Sequence, residues 1–131
     1  MSFGQRQYDR IKPEIDFPEH GVPTELVSTD LITGDGPEAT AGDTVSAHYV
    51  GVAFSSGEEF DASWNRGSPL EFKVGVGQVI QGWDQGILGM KVGGRRRLEV
   101  PAAMAYGDQG AGSAIAPGES LIFVVDLMGI R

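Results

Sequence analysis

A chain of 131 residues is most simply one domain, long enough to bury roughly two thirds of the surface that its unfolded form exposes. With 40% apolar and 21% charged residues and no apolar run near a membrane span, it reads as a soluble globular protein. A formal net charge of -8 argues against nucleic acid and anionic membranes as partners, and the lack of cysteine excludes disulfides, thiolate metal sites and cysteine nucleophiles.

In chain order, residues 1–24 are polar, with Pro13, Pro18 and Pro23 at intervals and scattered apolar side chains such as Ile11 and Phe17. This is the texture of an extended arm, loosely ordered or laid over the domain, with Phe17 or Tyr8 expected to pack on an exposed sheet face. It lacks the apolar region of a secretory signal, so cytoplasmic residence is the expectation. From 25 to 131 the texture is that of a single domain of short strands. Twenty glycines and seven prolines fit many tight reversals and a mostly antiparallel sheet.

The run ELVSTDLI is closed by Gly34-Asp35-Gly36, and DTVSAHYVGVAF runs into a hairpin loop of Ser55, Ser56, Gly57, Glu58 and Glu59. EEFDASW and a polar link through Asn65, Arg66 and Gly67 lead to PLEFKVG, where Leu70, Phe72 and Val74 alternate with charges as in a strand buried on one face. In VIQGWDQGI, Trp83, Ile87 and Leu88 fall on one side of a short helix that Gly89 stops. So short a helix is stable only when packed, here on the concave side of the sheet with Trp83 between them. Arg95, Arg96 and Arg97 open the strand run RRRLEVP, where alternating faces predict a solvated strand end and not a binding patch. AAMAYGDQGAGSAIAPGE has no period, and a loop of that length is functional or disordered. SLIFVVDLMGI is apolar on both faces and predicts a central strand. The fold class is α+β: an antiparallel sheet with one short helix.

Several chemistries fail on spacing. Gly75-Val76-Gly77 lacks the third glycine of a dinucleotide fingerprint, the glycines at 107, 110 and 112 lack the Lys-Ser or Lys-Thr of a phosphate loop, and no G-x-S-x-G elbow is present. His20 and His48 are the only histidines, so neither a metal nor a cofactor is expected, and His48 reads as a packed strand residue. Asp61 follows Phe60 in an apolar context with Arg66 nearby. Composition leaves two roles open for it, a structural ion pair or contact with a ligand. Tyr49, Phe60, Phe72, Val79, Ile80, Trp83, Tyr106 and Phe123 are either core or the walls of an apolar pocket. Tyr106 at the mouth of the Gly-rich loop suits a wet hydroxyl, and Gly82 before Trp83 would let another group approach the indole.

The runs VSAHYVG, FDASW, VGVGQVIQGWDQGILGMKVGGRRRLEVPAAMAYG and SLIFVVDLMGI, in this order, resemble the FK506-binding-protein (FKBP) type of peptidyl-prolyl cis/trans isomerase, as a small single-domain member of bacterial type. The resemblance runs from Leu26 to Arg131. It implies a twisted antiparallel half-barrel wrapped around one short helix, with an apolar pocket between them and no cofactor. It further implies a monomer whose partners are proline-containing peptides, unfolded or folding proteins, and macrolides of the FK506 and rapamycin type.

Carried over residue by residue, the resemblance places Tyr49, Phe60, Val79, Ile80, Trp83, Tyr106 and Phe123 on the pocket wall, with the Trp83 indole as its floor. Asp61 would face a substrate carbonyl or a ligand hydroxyl, oriented by Arg66 and Tyr49. The Tyr106 hydroxyl and the Ile80 N–H would donate to carbonyls beside the proline, and Phe72 would support the pocket from the core. The loop from Ala103 to Pro117 would overhang the site and bring Ala111, Ala114 and Ile115 toward the ligand. Leu70, Ala111 and Ala114 are smaller than is usual at their positions. A weaker or shifted preference before proline and reduced macrolide affinity are the expected consequences. Two readings follow, an isomerase that assists protein folding or a proline-binding module with incidental turnover.

Overall fold

The apolar runs become six strands: β1 (Val27–Ile32), β2 (Thr44–Ala53), β3 (Glu59–Ala62), β4 (Leu70–Lys73), β5 (Arg95–Val100) and β6 (Leu121–Ile130). The structure is a computed structural model and describes residues 10–16 and 21–131. The sheet is antiparallel throughout, in the order β1-β5-β6-β2-β3. β2 divides one edge between two partners, pairing Thr44 to Ala47 with β4 and Val50 to Val52 with β3. β6 is central, and its first seven residues, Leu121 to Leu127, are all buried, as a run apolar on both faces requires.

Among the described residues one α-helix, α1 (Gln81–Gly86), fills the concave side and packs on β5. Two glycines set how closely it does so. A Cβ on Gly82 would stand 2.5 Å from Val100 Cγ1, and one on Gly86 would stand 2.7 Å from Leu98 Cδ2. Gly82 is therefore bare to let the helix approach the strand, and not, as its position beside Trp83 suggests, to open the indole.

The three arginines of β5 alternate between faces, but they are not a solvated strand end. Their side chains are only 16%, 14% and 13% exposed, and each guanidinium has a carboxylate within ion-pair distance in the folded chain. Arg96 reaches the carbonyls of Gly86 and Leu88 at the end of α1, at 2.8 and 3.1 Å, and pairs with Asp30 of β1 at 2.6 Å. Arg95 turns to the other face and grips both oxygens of the fully buried Asp126, at 2.8 and 2.9 Å. Arg97 stands 3.7 Å from the Glu99 carboxylate.

Residues 10–16 lie over the outer face of the sheet. Arg10 donates to Asp126 at 3.2 Å and to the Gly93 carbonyl at 2.6 Å, and Lys12 pairs with Glu59 at 2.6 Å. Ile15 covers Val50 and Val124 on one side and Val52 and Ile122 on the other. Phe17 and Tyr8, expected to do this packing, lie outside the described residues.

Candidate active site

Trp83 organises the concave side. It is 5% exposed, and the Tyr49 and Phe123 rings meet it edge-on at 4.8 and 5.3 Å while Phe72 leans on it at 5.4 Å. Each ring comes from a different element, α1, β2, β6 or β4. Phe60 of β3 then meets Phe123 edge-on at 5.6 Å. Aromatic pairs prefer these tilted contacts, which place a positive ring edge on a negative ring face. Gly51 of β2 makes the last contact possible, since a Cβ there would stand 2.6 Å from Phe60 and 2.7 Å from Phe123.

Above the indole is a cavity of about 450 Å³, lined by Tyr49, Phe60, Asp61, Leu70, Gln78, Val79, Ile80, Trp83, Tyr106 and Phe123. The structure thus brings together nine of the fourteen residues singled out in the sequence for the pocket and its support. Phe72 lies outside the lining, 7% exposed, and supports Trp83 from below. The other four residues sit apart. Arg66 stands behind Asp61. Ile115 is 4% exposed within the core, and Ala111 pairs with it through the backbone at 2.9 and 3.2 Å. Ala114 is exposed and lines a second cavity that also touches Phe60.

Among the described residues, Asp61 is the one carboxylate on the main cavity. Tyr49 donates its hydroxyl to Oδ2 at 2.5 Å, Arg66 donates to Oδ1 at 2.8 Å, and Arg66 also donates to the Tyr49 oxygen at 2.8 Å. Burial alone would raise the Asp61 pKa, but the hydrogen bonds from Tyr49 and Arg66 and the charge of Arg66 outweigh it and hold the carboxyl below its ordinary range. The same triangle acts on Tyr49, whose pKa is raised by burial and by its bond to Asp61. The group facing the cavity is thus an oriented carboxylate beside a phenol that keeps its proton.

Two donors border the cavity without a partner among the described residues, the Ile80 N–H and the Tyr106 hydroxyl, the latter on a side chain 40% exposed. Behind Ile80, Asp84 accepts the Gly75 and Gly77 amides at 2.8 Å each and fixes the turn that presents Val79 and Ile80. Sequence reasoning passed over Asp84 and Gln78. Gln78 touches the cavity while its side-chain oxygen accepts the Lys73 N–H at 2.9 Å. A carboxylate on a helix just after two turn glycines was the available signal for Asp84. The Tyr106 loop is tied by backbone bonds, Gly107 N–H to Ala102 at 2.9 Å and Gly118 N–H to Gly107 at 2.8 Å. His48 takes no part, lying under Trp64 at 4.1 Å with Nδ1 2.8 Å from Ser63 Oγ.

Comparison with known proteins agrees with this geometry. The profile of the family described as FKBP-type peptidyl-prolyl cis-trans isomerase matches residues 36–128. The chain is 67% identical over 120 residues to the FK506-binding protein of Streptomyces anulatus, covering 91% of this chain and 97% of that one. It is 48% identical over 117 residues to the probable FK506-binding protein of Corynebacterium glutamicum, covering 89% and 97%. Among solved structures, the crystal structure of AtFKBP13 superposes with a TM-score of 0.77 at 44% identity, over 84% of this chain and 96% of that one.

Proposed function

The chain belongs to the FKBP-type peptidyl-prolyl cis-trans isomerases, and on that premise we propose that it isomerises X-Pro bonds of folding polypeptides in the cavity above Trp83, where macrolides of the FK506 type compete. The observation that carries this reading is one fixed, ionised carboxylate at the edge of a cavity otherwise walled by aromatic and aliphatic side chains.

Rotation about an X-Pro bond is slow because it breaks amide resonance, at a barrier of about 18 to 20 kcal/mol. No nucleophile is needed to lower it. A site that binds the twisted amide about 7 kcal/mol better than the planar one accelerates rotation roughly 10⁵-fold. The twisted amide has less charge separation than either planar form, so it loses less on leaving water for the apolar cavity. The proline ring has no N–H and suits the flat indole floor, with Tyr49, Phe60 and Phe123 as walls.

The polar groups then hold the two ends of the substrate while the bond between them turns. The Ile80 N–H and the Tyr106 hydroxyl donate to carbonyls on either side of the proline, and Asp61, immobilised by Tyr49 and Arg66, faces the rotating carbonyl. Because Asp61 is already oriented, little reorganisation accompanies the transition state.

The test is the catalysed cis/trans relaxation of a short X-Pro peptide, with and without an FK506-type macrolide. Acceleration that the macrolide abolishes is the expected result. Macrolide binding without acceleration would replace the isomerase reading with that of a proline-binding module.

A further inference from the structure

The catalytic cavity does not end at Phe60. Phe60 also lines a second cavity of about 420 Å³, formed by the β2–β3 turn and the loop that follows Tyr106. Ala114 leaves it open, and Glu58, Glu59 and Glu119 all line it. Glu59 is engaged by Lys12 at 2.6 Å and by Asn65 at 3.0 Å. Glu119 is oriented, because Ser55 donates to its two oxygens, from Oγ at 2.5 Å and from N–H at 3.1 Å. Among the described residues no Lys or Arg pairs with Glu58 or Glu119.

A polypeptide with its proline above Trp83 must leave the cavity over the rim, and on the Phe60 side it meets this acidic hollow. We propose that the hollow is a specificity subsite for a Lys or Arg side chain flanking the proline, with Glu119 and Glu58 as the specificity-determining residues. The inference rests on the isomerase reading above, since it needs a polypeptide substrate in the main cavity. The hollow has room for one long side chain, and Phe60 and Ala114 supply apolar surface for its methylenes. Glu119 supplies a preoriented acceptor for the charged head, which is where charge at a rim gives selectivity.

The experiment uses short peptides carrying Lys, Gln or Glu at one or two residues on either side of the proline. For each variant the ratio of kcat/KM for the Lys peptide to that for the Glu peptide is measured at low ionic strength, so that a general loss of activity cancels. The wild-type ratio is expected to reach about five-fold at one flanking position at least, and to shrink in high salt. Glu58→Gln/Glu119→Gln is expected to bring it near unity and Glu119→Lys to invert it. Asp16→Asn/Glu25→Gln removes the same charge from residues lining neither cavity and is expected to leave it unchanged.

A ratio of one at every position would overturn the proposal. So would an equal fall in both double variants, which would assign the preference to the overall charge. The same peptides are titrated against tryptophan fluorescence. Lys-selective binding that depends on Glu58 and Glu119 but comes without turnover would sink the isomerase reading and leave the subsite standing.

Discussion

Tyr49 donates a hydrogen bond from its hydroxyl to Asp61 at 2.5 Å while Arg66 donates to both of them, so the carboxylate that faces the cavity is held from two sides. Tyr49→Phe and Arg66→Ala each remove one hold. Each is expected to lower kcat/KM roughly 10-fold, the scale of a hydrogen bond to a charged group. The acid limb of the pH profile provides the sharper check. Asp61 is depressed, so it stays ionised to below the ordinary range near pH 4, and whatever stability it contributes is present above that range and lost as pH falls through the depressed value. In Arg66→Ala the acid limb should move to higher pH, and an unmoved limb would mean that Asp61 does not govern it.

The two helix glycines should respond differently to the same methyl group. At position 82 the new Cβ meets Val100, a stiff β-branched side chain, whereas at 86 it meets the end of Leu98, which can turn away. Gly82→Ala is expected to cost about 1–3 kcal/mol by overpacking. Gly86→Ala should stay within about 1 kcal/mol, because alanine favours the helix by a similar amount. Urea unfolding of both, with Val100→Ala added to Gly82→Ala, tests the assignment, and a double mutant no better than the sum of its parts would refute it.

Asp126 is fully buried between Arg10 and Arg95 on the outer face. Removing Arg95, which holds both carboxylate oxygens, is expected to cost about 3–5 kcal/mol, as for any buried pair left with one member. Removing Arg10 should cost about 1–3 kcal/mol, since Arg95 still answers the charge. Truncation of residues 1 to 16 should exceed Arg10→Ala, because it also strips Ile15 from the sheet. Thermal unfolding of the three variants orders them.

His48 predicts a stability change near neutrality. Burial lowers its pKa from 6.5 in spite of the opposing pull of Asp126, its cross-strand neighbour, which Arg95 and Arg10 already answer. As pH falls below 6.5, the unfolded chain takes up the proton more readily than the folded one, so stability declines until the folded value is passed. Denaturant midpoints between pH 8 and about pH 5 should show this decline, and His48→Gln should flatten it.

Local pattern made much of this legible. The alternation of Leu70, Phe72 and Val74, the doubly apolar run from Leu121, and the Gly-Trp step after Val79-Ile80 each follow from a period or a stop signal a few residues long. The aromatic set of the pocket and the orientation of Asp61 by Tyr49 and Arg66 came instead from the family resemblance, because local pattern left core and pocket, ion pair and ligand contact, equally open. What escaped were partners distant in sequence. Nothing local announces that Arg96 seals the end of α1 or that Gly82 is bare because of Val100. The division of β2 between β3 and β4 shows only in the assembled sheet. Composition makes Arg95 to Arg97 look solvated because the acceptors that bury them lie in other strands.

The position of β6 also constrains how the sheet is assembled. It lies between β5 and β2 and is C-terminal to both, so during synthesis those two strands must wait, unpaired with each other, for the strand that joins them. Residue Val45 finds Ile130 and Ala53 finds Leu121 only after that segment has left the ribosome. Closure of such distant pairs sets a slow, entropically costly step, during which apolar strand edges stay open to other chains. A peptidyl-prolyl isomerase of this topology thus has a vulnerable interval in its own folding, and that interval ends with its central strand.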